Sequence, residues 1–229
     1  MNTRDFTNWN GYLDELMDDV YPSPADDGHT ALLTNYMGRW GKYFKGAKNV
    51  LDVGCGDDAI AEPFFRGLGI SYLGISIGAN VDLLASKGRC VVNTDFNFLS
   101  DFVSESFDLV FSRHSLEHSP APLLSLMEWH RVSSKYLGLI VPNPADTTFV
   151  GRNHYSVANS HQMVWWLRRA GWKIEIARFT KSELQFVCTK MPRISYEGFV
   201  KAPLSAYVHE SERDMLDTMD EDIFFGGFE

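Results

Sequence analysis

The chain has 229 residues, 45% hydrophobic, 14% aromatic and 22% charged, a composition that excludes disorder as the main state and suits one large domain with embellishments. Lys and Arg total 21 against 30 Asp and Glu, and the formal net charge of −9 is a poor field for nucleic acid. The three cysteines, Cys55, Cys90 and Cys188, form no CxxC pair; with no basic leader and no apolar run of about 18 residues, the expectation is a cytoplasmic protein without a membrane segment.

Tyr12, Leu13, Leu16, Met17 and Val20 fall at helical spacing, and residues 31–43 allow a second helix beyond the loop YPSPADDG, so residues 1–46 are expected as a helical N-terminal cover. From Asn49 short apolar runs alternate with helix-compatible segments, as in βαβ units. The runs are 50–53, 72–75, 89–93, 107–111 and 137–141, apolar on both faces like strands inside a parallel sheet. Ser160 can cap a helix that carries Met163, Val164, Leu167 and Ala170 on one face and stops at Gly171. Residues 172–179 and 184–189 are divided by the polar Thr180-Lys181-Ser182-Glu183, too short for a parallel crossover, and predict an antiparallel hairpin. Residues 191–229 form an extension. Between 205 and 229 eight acidic residues face the single basic Arg213, so this end reads as a solvated, partly disordered tail. A sharper reading is an acidic, aromatic segment that folds on a protein partner or over the site.

The stretch Asn49-Val-Leu-Asp-Val-Gly-Cys-Gly-Asp-Asp58 carries a buried strand into a glycine turn and on into AIAEPFFRGL, a helix-compatible run. Gly54 and Gly56 let the backbone approach a ligand, and N–H groups at a helix start favour a carboxylate or other anion. The strand ends that follow, Ser76, Asp95 and Ser112 to His114, repeat the order in which a doubly wound sheet lines its cleft. DVGCG, YLGIS, TDFNF, SFDLVFSRHSLEHSPAP and LGLIVPNP together resemble the class I S-adenosylmethionine-dependent methyltransferases, in particular the group with an LEH segment after the fourth strand. The resemblance covers residues 47–190. It implies an α/β, Rossmann-like, seven-stranded, mostly parallel sheet with a closing antiparallel hairpin and helices on both faces, and S-adenosylmethionine as cofactor. Carried over by position, Asp52, Gly54, Cys55 and Gly56 would cradle the amino-acid end of that cofactor. Asp58, where a third glycine is usual, would face its ammonium. Ser76, followed by Ile77, stands where the family commonly has an acidic residue on the ribose, so Asn80 or Asp82 would supplement it. Asp95 and Phe96 would address the adenine, Phe96 covering the ring face, and Ser112, Arg113 and His114 would lie beside the methionine portion.

His114-Ser-Leu-Glu117-His118 also spells HxxEH, the inverted zinc-peptidase motif. That reading needs a helix, whereas a strand ends at about 112 and Ser119-Pro-Ala-Pro122 restarts the chain; no metal is expected. Under the methyltransferase reading a histidine can take the acceptor's proton. His114 is the first candidate. His154 follows, in the long loop after the fifth strand, with Arg152 and Asn153 before it and Tyr155 as a stacking wall. His118, with Glu117, reads more as a structural contact holding the loop. His161 and the pair Trp165–Trp166 read as helix-terminus and packing residues, and Tyr21 and His29 as a lid or as packing. The expected activity is methyl transfer to an oxygen or nitrogen of a small molecule or sugar, with no nucleic-acid or membrane partner. The alternative is a non-catalytic, S-adenosylmethionine-binding regulatory or structural protein. A nicotinamide oxidoreductase is disfavoured, since no GxGxxG follows the first strand.

Overall fold

The computed structural model describes residues 11–13, 15–16, 27–56, 58–147, 153–193 and 222–224. Alternation along β1 (Asn49–Val53) sends Leu51 and Val53 into one apolar cluster and Val50 into another, so both faces of the sheet are covered. β2 (Ser71–Ser76), β3 (Val91–Asn93), β4 (Phe107–Arg113) and β5 (Ser133–Pro142) continue the parallel part. β6 (Trp172–Phe179) and β7 (Glu183–Lys190) form the expected antiparallel hairpin, with β7 between β5 and β6.

The strand order is β3-β2-β1-β4-β5-β7-β6-β8. The seven expected strands are thus joined by an eighth, β8 (Asp222–Phe224), which pairs antiparallel with β6 through Arg178 and Asp222, Ala177 and Ile223, Ile176 and Phe224. Three residues of the end expected as a solvated, partly disordered tail are thus a strand: the run Ile-Phe-Phe has strand propensity, and β6 would otherwise expose a row of unpaired backbone groups.

On one face α4 (Pro122–Val132) and α5 (Ser160–Ala170) bring Leu126, Trp129, Met163, Val164 and Leu167 onto Val110, Leu137 and Leu139. On the other, α1 (Asp27–Trp40), a 3-10 turn (Gly41–Phe44) and α2 (Glu62–Gly67) bring Tyr36, Trp40, Phe44 and Phe65 onto Leu109, Phe111 and Ile140. The Tyr36 hydroxyl donates to the Phe186 carbonyl at 2.9 Å, fixing α1 on the sheet. α3 (Ala79–Ser86) follows β2.

Two boundaries differ from expectation. The cap of α5 is Asn159, whose Oδ1 accepts the Gln162 N–H at 2.9 Å, and Ser160 is the first helical residue; Gly171 ends the helix at φ 100°. α2 starts only at Glu62, with Pro63 in its first turn, where a ring that fixes φ and lacks an N–H costs nothing. The Gly56 turn is therefore not a helix N-terminus. Among the described residues no helix is long and apolar enough to cross a membrane.

Candidate functional site

β2 and β3 lie on one side of β1, and β4 and β5 on the other, so the strand order reverses between the parallel neighbours β1 and β4, which is where such a sheet has a crevice at its C-terminal ends. On the β1 side, Gly54 and Cys55 both donate their N–H to the Ile75 carbonyl, at 2.8 and 3.0 Å. These donors, expected to be free for a ligand, are used to join the loop to β2. Gly54 has φ +71°, and a Cβ there would stand 1.9 Å from Ser115 Oγ; the turn after β4 leans directly on it. Gly56, at φ +67°, meets nothing within 4 Å of a built Cβ, nor does Gly78 at φ +118°. The backbone at these two glycines is therefore open on the side that a Cβ would take, as it is at Gly67, Gly69 and Gly88 away from the crevice.

Cys55 is buried beside Gly74 and burial pushes its thiol far up, so the thiol stays protonated and, like the N–H, is not offered to a ligand. Asp52 is buried and accepts the Tyr72 hydroxyl at 2.6 Å. Burial pushes its carboxyl up to about 7, against the pull of the Tyr72 hydrogen bond and the Arg113 charge. Asp58 is exposed.

At the next strand ends Ser76 and Ile77 are half-buried. Asn93 donates to Asp82 Oδ2 at 3.0 Å and accepts the Gly78 N–H at 3.2 Å, so Asp82 braces the Gly78 turn; Asn80 is exposed. Asp95 Oδ1 accepts the backbone N–H and the side-chain amide of Asn97 at 2.8 and 2.9 Å, and Oδ2 has no partner among the described residues. The Phe96 ring, 5% exposed, packs 6.1 Å from the Trp129 ring in the core. It does not cover a ligand, and Phe96 has only its backbone to offer; the accessible aromatic of this segment is Phe98, 48% exposed.

The β4 side is built from side chains. Ser112 is fully buried. His114 has φ +49°, rare for a residue with a Cβ. Its Nε2 lies 2.9 Å from Glu183 Oε1 and its Nδ1 3.6 Å from Glu117 Oε1. Arg113 Nη2 is 3.7 Å from the same Glu183 oxygen, and Gln185 donates to Glu183 Oε2 at 2.9 Å. Burial works against the Glu183 charge, but His114, Gln185 and Arg113 outweigh it and hold this carboxyl below its ordinary range. Glu183 was read from sequence only as part of a polar turn; its signal, one acid at the start of a strand, is too weak to find alone.

Leu116–His118 is a 3-10 turn rather than part of a helix, so His114 and His118 do not form the pair that an HxxEH metal site needs. Glu117 is 1% exposed, and burial pushes its carboxyl up to about 8. His118 sits edge-on to His154, ring centroids 4.6 Å apart. Its Nδ1 lies 3.2 Å from the Asn153 carbonyl, and burial together with His154 pushes its pKa down to about 4. The loop after β5 is tied to this turn, since Ser156 donates its N–H to the Glu117 carbonyl at 2.9 Å. The Tyr155 hydroxyl donates to the Leu16 carbonyl at 3.3 Å, adding the N-terminal segment. His161 is exposed at the start of α5, Trp165 and Trp166 are half-buried, and Arg152, Tyr21 and the side chain of His29 lie outside the described residues.

Residues 51–136 match the family model of a methyltransferase domain. No curated protein matches the chain. Among solved structures, a SAM-dependent methyltransferase from Archaeoglobus fulgidus aligns with TM-score 0.61 and 18% identity over 70% of this chain and 94% of that one. One from Aquifex aeolicus aligns with TM-score 0.54 and 16% identity over 73% and 100%. Magnesium protoporphyrin IX methyltransferase from Synechocystis PCC 6803, with bound SAH, aligns with TM-score 0.57 and 15% identity over 82% and 97%. At such identities the likeness is one of fold. At the rim of the crevice the backbone is open at Gly56 and Gly78, and Ser76 and Asp95 place polar groups beside it. The match over residues 51–136 and the shared fold thus place a methyltransferase-type domain in the middle of this chain, with the fold of solved SAM-dependent methyltransferases.

Proposed function

We propose that the chain transfers the methyl group of S-adenosylmethionine to an oxygen or nitrogen of a small molecule or sugar, in the cytoplasm. The observation that carries this reading is the pairing of open glycine positions on the β1 side with a polar, largely buried set of side chains on the β4 side. Bound there, S-adenosylmethionine supplies a sulfonium methyl group open to in-line displacement. Gly54, Cys55 and Gly56 shape the floor under the amino-acid arm, with Asp52 below it and Asp58 at the rim. Ser76 and Ile77 stand by the ribose. Asp95 Oδ2 accepts from the adenine amine while the Phe96 N–H serves a ring nitrogen.

On the acceptor side, Glu183 accepts from His114 Nε2, which makes Nδ1 the basic nitrogen of that ring. His114 is thereby oriented to take the acceptor's proton as the new bond to the methyl carbon forms. Arg113 and Ser112 line the boundary between the two halves, and His154 and His118 are the further candidates for contact with the acceptor. The net charge of −9 favours neutral or cationic acceptors over polyanions. The acidic end, residues 205–229, is the candidate segment for a protein partner.

Isothermal titration with S-adenosylmethionine and S-adenosylhomocysteine, with NADH as control, tests the reading. Micromolar binding of both sulfur nucleosides is expected, at least tenfold weaker in Asp95→Ala, with none for NADH. A methyl-labelled donor then screens hydroxyl, amine and sugar acceptors. Binding without turnover across that screen would favour the non-catalytic alternative, and absence of binding would remove the cofactor assignment.

A further inference from the structure

We infer that Glu117, His118 and His154 form a binding site for a divalent transition-metal ion of the zinc class, on the acceptor side of the crevice. One donor atom from each of the three lies within 4.8 Å of the others. Bonds of about 2.0–2.2 Å in a tetrahedral centre hold ligand atoms about 3.3–3.6 Å apart, so side-chain rotation of about an ångström closes the set. His118 and His154 are brought together across 36 positions by the loop after β5, where the expectation from sequence had been a His114–His118 pair.

Two independent features point to a ligand at this place. The first is Glu117: 1% exposed, it has no hydrogen-bond partner for either carboxylate oxygen, and its nearest charged neighbour, His114 Nδ1, stands at 3.6 Å, beyond a hydrogen bond. A buried carboxyl in this condition is what a cation satisfies. The second is the tautomer of His118. Its Nδ1 faces the Asn153 carbonyl at 3.2 Å, and a carbonyl only accepts, so Nδ1 carries the proton and Nε2 the lone pair. A ring N–H given to a backbone carbonyl is the usual outer contact that orients a metal-bound histidine. Asn153 precedes His154 in the chain, so the same backbone turn orients one ligand and delivers another.

Two imidazoles and one carboxylate select a borderline ion such as Zn2+, Co2+ or Fe2+ over Mg2+ or Ca2+, which take oxygen ligands. Three protein ligands leave at least one position open. On the reading given under Proposed function, that position takes an acceptor oxygen and lowers its pKa, which favours a hydroxyl or phenol acceptor over an amine. The metal site itself does not depend on that reading.

The test uses the full chain, freed of affinity tag and stripped with chelator. Titration with Co2+ followed by visible absorption, and with Zn2+ by calorimetry, is expected to show one equivalent bound at micromolar Kd or tighter. The Co2+ bands should have the intensity of a four- or five-coordinate site. His154→Ala and Glu117→Gln should each weaken binding at least 100-fold with unchanged circular dichroism, while His161→Ala leaves it as in the parent. Failure to bind either ion at 100 µM overturns the site, as does parental affinity in both His154→Ala and Glu117→Gln. S-adenosylmethionine titrated into the same samples separates the two claims. Metal binding without nucleoside binding would sink the methyltransferase reading alone, and nucleoside binding without metal would sink this one alone.

Discussion

The two sides of the crevice are made of different material. On the β1–β3 side, room is left where side chains are missing, at Gly56 and Gly78, and the loop is held by backbone bonds to Ile75 and by Asn93 bracing the Gly78 turn. On the β4–β5 side, Arg113, His114, Glu117, His118, His154 and Glu183 crowd into a largely buried polar set. The first arrangement suits a ligand that is always the same, read by shape and main chain. The second can be varied one side chain at a time without disturbing the sheet, which suits an acceptor that differs from one protein to the next.

The sharpest way to break this division is at the seam. Gly54→Ala puts a methyl group 1.9 Å from Ser115 Oγ and 2.5 Å from Ser115 Cβ, at φ +71°. The clash and the backbone strain together cost about 3–5 kcal/mol, so urea unfolding should show a large loss of stability and both sides should fail. Gly56→Ala meets no neighbour and costs only about 1 kcal/mol in backbone strain, yet it fills the space proposed for the cofactor. S-adenosylmethionine affinity should fall at least tenfold while the fold persists. Equal loss of stability in the two variants would mean that the glycines share one structural role.

Next in size is Glu183→Gln. The amide still accepts from His114 but no longer balances the Arg113 charge, and the loss of charge-assisted hydrogen bonding costs about 1.5–3 kcal/mol. If the two sides are separate, the variant loses this stability while its affinity for S-adenosylmethionine stays within about threefold of the parent. A tenfold loss of nucleoside affinity would show the sides to be coupled through Arg113.

The same division explains what could be read in the sequence. The β1 loop is one continuous decapeptide, and the strands around it are apolar on both faces, so the parallel sheet, the hairpin and the stop at Gly171 were all legible. The β4 side is assembled from distant positions: His114 and Glu183 are 69 residues apart, and His118 reaches Asn153 across 35. No local period links such residues, and HxxEH suggested a partnership between His114 and His118 that the strand end at Arg113 and the 3-10 turn prevent. The resemblance implies Phe96 at the adenine, carried over by position, and an apolar side chain there suits the face of a base. Only the packing shows its ring committed to Trp129. β8 escaped notice because a three-residue strand has no periodicity, and its acidic flank reads as solvated chain.

The last effect, visible only as a dependence on pH, is expected at Asp52, beneath the cofactor loop. Its folded pKa of about 7 stands above the ordinary value of 3.8 because burial disfavours the carboxylate, with Tyr72 and Arg113 only partly compensating. Between about pH 4 and 7 the folded protein therefore holds a proton that the unfolded chain has released. Stability must fall as pH rises through this window, with a slope of at most about 1.4 kcal/mol per pH unit from this group, and level off above it. Asp52→Asn keeps an acceptor for the Tyr72 hydroxyl and removes the titration. The other ionisable groups, Glu117 among them, are shared by both proteins, so the difference between their urea unfolding free energies at pH 5, 6, 7 and 8 isolates Asp52. That difference should move in favour of the variant from pH 5 to 7, more slowly between pH 7 and 8, and flatten above that. A flat difference across the whole range would mean that Asp52 releases its proton near the ordinary value, with Arg113 acting as its counter-ion, and that the β4 side reaches further under the cofactor loop than the division of the crevice allows.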